Sequence, residues 1–177
     1  THPHATHSMK AHQIFQSISP EQRLAIMSWT QKQSKEAFRT ALFQIGAQRK
    51  LRPQYFNTKN REQQVEWLSE NLKNKLYNDV TEQLLQLWLL RGKTAMLTTF
   101  LDAAEIKHDG QGQVDDLPEE LDIKQVKAGV DAILKDNAPA EVAIYLHLFQ
   151  RQKEGGWPAI AKELEKRDEL KLDAPVM

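Results

Sequence analysis

Eight cations crowd into one short stretch of this chain: Lys32, Lys35, Arg39, Arg49, Lys50, Arg52, Lys59 and Arg61. Arg49-Lys50-Leu51-Arg52 runs directly into Pro53-Gln54-Tyr55-Phe56, so positive charge is interleaved with two aromatic rings that read as exposed. Cations and open rings together can neutralise phosphates and stack bases. The same set can meet an acidic protein surface, including the acidic part of a second copy. A third reading is plainer: cations near helix C-termini complement the helix dipole and keep a face solvated. Those eight cations with Tyr55 and Phe56 are the candidate partner-binding residues.

Other stretches with chemical potential fall short of a site. Gly92-Lys93-Thr94 is the tail of a phosphate-binding loop, but the glycine needed five residues earlier is Leu87, and a helix precedes it where a strand is required. Lys93 is therefore expected to be solvated, with Gly92 as a helix stop. Asp109 to Glu120 has acidic residues at the first, seventh and twelfth places of a calcium loop. The obligatory glycine at the sixth is Val114, and the third and fifth are glutamines. His108 and His147 have no carboxylate, serine or second histidine at a catalytic or ligating spacing, so both read as structural or surface residues. Trp29, Trp67, Trp88 and Trp157 read as core. Without cysteine, thiol nucleophiles, disulfides and cysteine metal sites are excluded. The sequence thus offers no catalytic residue, no cofactor loop and no metal set. His2, His4 and His7 are the one exception, able in principle to hold a transition metal, though they sit in a stretch that reads as a terminal tail or a leader before Met9.

The elements that position these residues are helices. Capping boxes are expected at Ser19–Gln22, Asn60–Gln63, Asp79–Glu82 and Asp122–Gln125, each an N-cap side chain followed by Gln or Glu at the third helical position. Behind them lie apolar faces at helical spacing. Leu24 and Met27 form one, and Phe38, Ala41, Leu42 and Ile45 a second. Val65, Leu68, Leu72 and Leu76 make a third. Val80 to Leu90 is apolar nearly all round, and Met96 to Ala104 follows. The last three are Val126 to Leu134, Val142 to Phe149, and Ile160 with Leu164. Pro53–Lys59 reads as a loop. Asp109-Gly110 favours a tight reversal, predicting an irregular or hairpin loop near 107–118. No apolar run approaches the ~18–20 residues of a membrane span, the longest being interrupted by Gln86. The expectation is an all-α fold of about eight short helices, arranged as an orthogonal bundle or as a repeat-like stack of three-helix units.

Domain organisation follows from the same pattern: a tail over 1–9, a basic helical subdomain over 10–59, a three-helix unit over 60–106, an acidic loop over 107–122, a second three-helix unit over 123–170 and a tail over 171–177. A shift of 62 positions superposes Leu68 on Val130, Leu72 on Leu134, Val80 on Val142 and Leu84 on Leu146. That match suggests stacked helical repeats, or simply two well-capped triplets of similar length. The net charge of zero hides a division: 14 Lys/Arg against 7 Asp/Glu in residues 1–100, then 10 against 17 in 101–177. Such a division sets where partners of either sign dock. Together these features point to a non-enzymatic helical domain that works through protein contact or self-association, suited to the reducing cytoplasm, with nucleic-acid binding by the 32–61 face as the alternative.

Overall fold

The computed structural model describes residues 9–173; the three N-terminal histidines and residues 174–177 lie outside them. Among the described residues there are ten α-helices and no strand. They are α1 (Ala11–Ser17), α2 (Pro20–Gln33), α3 (Lys35–Gln48), α4 (Pro53–Asn57), α5 (Arg61–Asn71), α6 (Asn78–Leu87), α7 (Thr94–Ala103), α8 (Ile123–Leu134), α9 (Pro139–Gln150) and α10 (Pro158–Lys166). No helix is long and apolar enough to cross a membrane. The helices form two compact units, Lys10–Trp88 and, with Met9, Leu89–Asp173. The division at Trp88–Leu89 places α5 and α6 in the first unit and α7 in the second.

In the N-terminal unit α2 packs on α3 and α5, α3 on α4 and α5, and α1 on α6. Ser19 accepts from the Gln22 amide at 3.0 Å, and proline at the first helical position completes the start of α2. Asn60 and Gln63 exchange both capping bonds, at 2.8 and 3.0 Å. At Ser19 and Asp122 only the N-cap half of the expected box forms, and at Asp79 neither half does. A 3₁₀ turn over Lys75–Tyr77 feeds straight into α6, which leaves no free N-terminus at Asp79. Asn78 turns instead to α1, accepting from the His12 amide at 3.0 Å and pairing with the His12 ring at 2.8 Å. That turn also carries Leu76 outward, 74% exposed where an inward position was expected. Leu24 likewise lies at the surface. The other end of α1 is held by the Arg23 guanidinium, which donates to the carbonyls of Phe15 and Ile18.

Two features were unannounced by periodicity. Residues 53–57 are one helical turn, α4, rather than loop, with Pro53 at its first position. Beyond α6 the chain widens into a π-turn over Trp88–Gly92, and the Thr94 hydroxyl donates to the Leu90 carbonyl. Gly92 is not among the left-handed residues, so it is not the stop expected of it.

In the C-terminal unit α7 packs on α8, and α8, α9 and α10 pack on one another. Helix α9 is buried almost all round, from Val142 to Gln150. Asp122 accepts from the Gln125 amide at 3.1 Å to start α8. The segment 107–118 makes no hairpin. Asp109 accepts from the amides of Gln111 and Gln113 at 2.7 and 3.0 Å, while its own amide donates to the Gln113 carbonyl. The turn is therefore organised around one carboxylate, with Gly110 and Gly112 at φ of +87° and +96°. Donation from the Gln111 amide, then the Gln113 amide, holds the Asp109 carboxyl below its usual range.

Candidate basic interface

The basic segment runs from the last turn of α2 to the first residue of α5, so its geometry is that of α3 and α4. Phe38, Ala41, Leu42 and Ile45 take the buried face of α3. That leaves Lys35 and Arg39, one turn apart, on the exposed side. Arg39 lies over the ring of Phe43, 5.5 Å from its centroid. Phe43 meets Phe56 at 5.8 Å, Phe56 meets Tyr55 at 5.2 Å, and the Lys59 ammonium sits 5.1 Å from the Tyr55 ring. Arg39, Phe43, Phe56, Tyr55 and Lys59 thus form a continuous strip with a cation at each end. Phe56 also packs edge-on against Trp67 at 4.7 Å, which ties the strip to α5.

The Phe56 ring fills the place where a Cβ on Gly46 would lie: Cε2 and Cζ stand 2.5 and 2.8 Å from that position. A glycine on the inner face of α3 is what admits α4 so closely. Phe56, expected at the surface, is therefore a core residue at 1% exposure, while Tyr55 beside it is 39% exposed. Phe43 and Trp67 are half-buried, and sequence reasoning had not included them. The Arg39–Phe43 spacing of one helical turn was the available signal for the first.

Helix α3 ends in a paired cap. The Leu51 amide donates to the Gly46 carbonyl at 2.8 Å and the Lys50 amide to the Ala47 carbonyl at 2.9 Å. Lys50 takes the left-handed conformation, φ +61°, in a place that favours glycine. Arg49 donates to the Asn71 side chain, and Arg52 is the N-cap of α4. The Gln31 side chain donates to the Arg61 carbonyl at 3.1 Å, drawing the end of α2 to the start of α5. Among the described residues none of the eight cations is in ion-pair reach of a carboxylate. Seven of the eight are exposed and Lys59 is half-buried.

Several polar groups outside this surface are engaged by the fold. Lys93, expected to be solvated, pairs with Glu141 at 2.8 Å. His108 lies 2.7 Å from Asp102, a carboxylate partner that the six-residue spacing had hidden, and its Nδ1 accepts from the Gly110 amide at 3.0 Å. Both ring nitrogens of His108 are thus engaged within the fold. His147 is largely buried within α9, accepts from the Met9 amide through Nδ1 at 3.4 Å, and burial pushes its pKa down to about 4. Among the described residues no three His, Asp or Glu converge on a metal-sized space. No protein-family model, curated protein or solved structure matches this chain.

Proposed function

We propose that this chain is a helical domain that acts through protein contact rather than catalysis, and that the Arg39–Phe43–Phe56–Tyr55–Lys59 strip with its neighbouring cations receives an acidic partner segment. Its cysteine-free composition suits a cytoplasmic setting. The observation that carries this reading is the eight-cation surface with no carboxylate in reach among the described residues. Cations that add nothing to the fold's own ion pairs are available to steer and orient an oppositely charged partner. Base stacking is less well supplied. Phe56 is buried, Phe43 and Trp67 present only part of their surface, and Lys59 lies over a face of Tyr55. One substantially open ring is a poor platform for successive bases.

The test is fluorescence anisotropy with two probes, a peptide alternating glutamate with leucine and a single-stranded oligonucleotide of equal charge. The peptide is expected to bind at low salt, to weaken as salt rises, and to lose about tenfold or more in affinity in the Lys35→Glu/Arg39→Glu variant. Tighter binding of the oligonucleotide, weakened by Tyr55→Ala, would replace this reading with nucleic-acid recognition.

A further inference from the structure

We infer that the partner is a second copy of this chain, whose acidic loop over 105–122 docks on the basic strip. This rests on reading the strip as a protein-contact surface. The loop has the complementary composition: Glu105, Asp109, Asp115, Asp116, Glu119, Glu120 and Asp122 stand against a lone cation, Lys107. All seven carboxylates are exposed, and none forms an ion pair among the described residues. Exposed apolar side chains accompany them, Leu117 at 37% and Ile123 at 49%, matched on the strip by Tyr55 and the open part of Phe43. An interface needs that apolar component, because exposed ion pairs alone contribute little.

Two further features separate this loop from an ordinary solvated acidic stretch. First, it is held in one shape. The Asp109 turn fixes its start, Ile106 and Val114 are buried, and the Trp157 indole donates to the Pro118 carbonyl at 2.9 Å. A surface organised before docking loses less entropy on binding. Second, the two non-glycine residues in the left-handed region, among the described residues, are Lys50 and Glu105. Each follows the last turn of a helix closed by the same paired cap. For α7 the Ile106 amide donates to the Leu101 carbonyl and the Glu105 amide to the Asp102 carbonyl. Glycine is the favoured residue at that point of the cap. One carries a cation on the basic surface and the other a carboxylate on the acidic one, so each strained position supplies charge to its own surface. The chain's net charge of zero removes the long-range repulsion that opposes self-association. Strip-to-loop contact is head-to-tail, so it forms closed rings or open chains.

Sedimentation velocity of the full chain at up to about 0.2 mM tests this, in low salt (about 0.02 M) and high salt (about 0.5 M). The chain is expected to sediment above its monomer mass in low salt and as monomer in high salt. The strip variant Lys35→Glu/Arg39→Glu and the loop variant Asp115→Lys/Asp116→Lys are each expected to be monomeric alone. Mixed in equal amounts they form a one-to-one complex, because each keeps the surface the other lacks. A monomer in low salt that still binds the acidic peptide overturns self-association alone and assigns the strip to another acidic protein. Failure to bind the peptide overturns both readings. Association that neither variant weakens places the interface elsewhere and also overturns the inference.

Discussion

The two units solve the same packing problem and use their cations differently. Each has an aromatic cluster seated on a glycine: Phe56 on Gly46 in the first, Phe100 on Gly129 in the second, where the Phe100 ring stands 2.8 Å from the place a Cβ would take. Each has a tryptophan against the cluster, Trp67 edge-on and Trp157 stacked on Phe149 at 4.9 Å. The cations differ. In the second unit Lys93, Lys127, Lys166, Arg167 and Lys171 are all ion-paired, and Arg167 bridges Asp131 on α8 and Glu163 on α10 at 2.7 and 2.6 Å. In the first unit Lys73 pairs with Glu70 at 2.9 Å, and none of the cations of 32–61 joins such a pair among the described residues. Five cations of the second unit are engaged in its own ion pairs, whereas the basic segment of the first is left open.

The largest test of that difference removes one cation from each. Glu163 has no solvent exposure, and Arg167 is its main hydrogen-bonding partner. Arg167→Ala leaves a buried carboxylate with only the Lys166 ammonium at 3.1 Å, so the expected loss is about 3–5 kcal/mol in urea unfolding. Adding Glu163→Gln should recover much of it, because the uncompensated charge is gone. Arg39→Ala, by contrast, should stay within about 0.5–1 kcal/mol of the parent, its contact with Phe43 being the main loss. Equal effects at the two sites would erase the distinction between the units.

How much of this was legible in the sequence depends on the range of each interaction. Faces repeating over several turns were readable: Met96, Leu97, Phe100, Leu101 and Ala104 are all buried, as are Val142, Tyr145, Leu146 and Phe149. So were the caps at Ser19, Asn60 and Asp122, whose bonds span three residues. A five-residue helix such as α4 is too short for periodicity to appear. The burial of Phe56 depends on a slot ten residues away, although Gly46 on an otherwise apolar helix face was a signal of close approach. Asp102 and His108 meet across a left-handed residue, Glu105, that no residue preference announces. The cations of the basic surface were readable by composition. Their freedom from ion pairs among the described residues was not, since that depends on where distant carboxylates fold.

Titration probes the C-terminal unit through one buried histidine. His147 is neutral and buried when folded, with a pKa near 4, whereas the unfolded chain takes up a proton near 6.5. Its folded pKa is depressed, so as pH falls from about 6.5 towards 4 the unfolded state binds a proton that the folded state does not. Stability is then lost over that window, by at most roughly 3 kcal/mol. Urea midpoints measured from pH 7 to pH 4 should fall accordingly, and His147→Asn should flatten that part of the curve. Asp109 and Asp131, both held below the usual carboxylate range, contribute their losses at lower pH. A slope unchanged by His147→Asn would assign the acid sensitivity of this unit to its carboxylates instead.

The smallest effect is expected where the units are most alike. Lys50 and Glu105 occupy equivalent positions in equivalent caps at φ of +61° and +58°. Glycine adopts that conformation without the Cβ penalty, which for other residues is about 1–2 kcal/mol, though the glycine also gains freedom in the unfolded chain. Lys50→Gly and Glu105→Gly should therefore each leave stability unchanged or raise it by up to about 1 kcal/mol, seen as a higher thermal midpoint. Both should at the same time weaken the association that depends on their charge. A variant that is more stable and binds less well separates the two demands on one residue. Should either glycine variant lower stability, the side chain at that position serves the fold, and the symmetry between the two caps would be one of backbone alone.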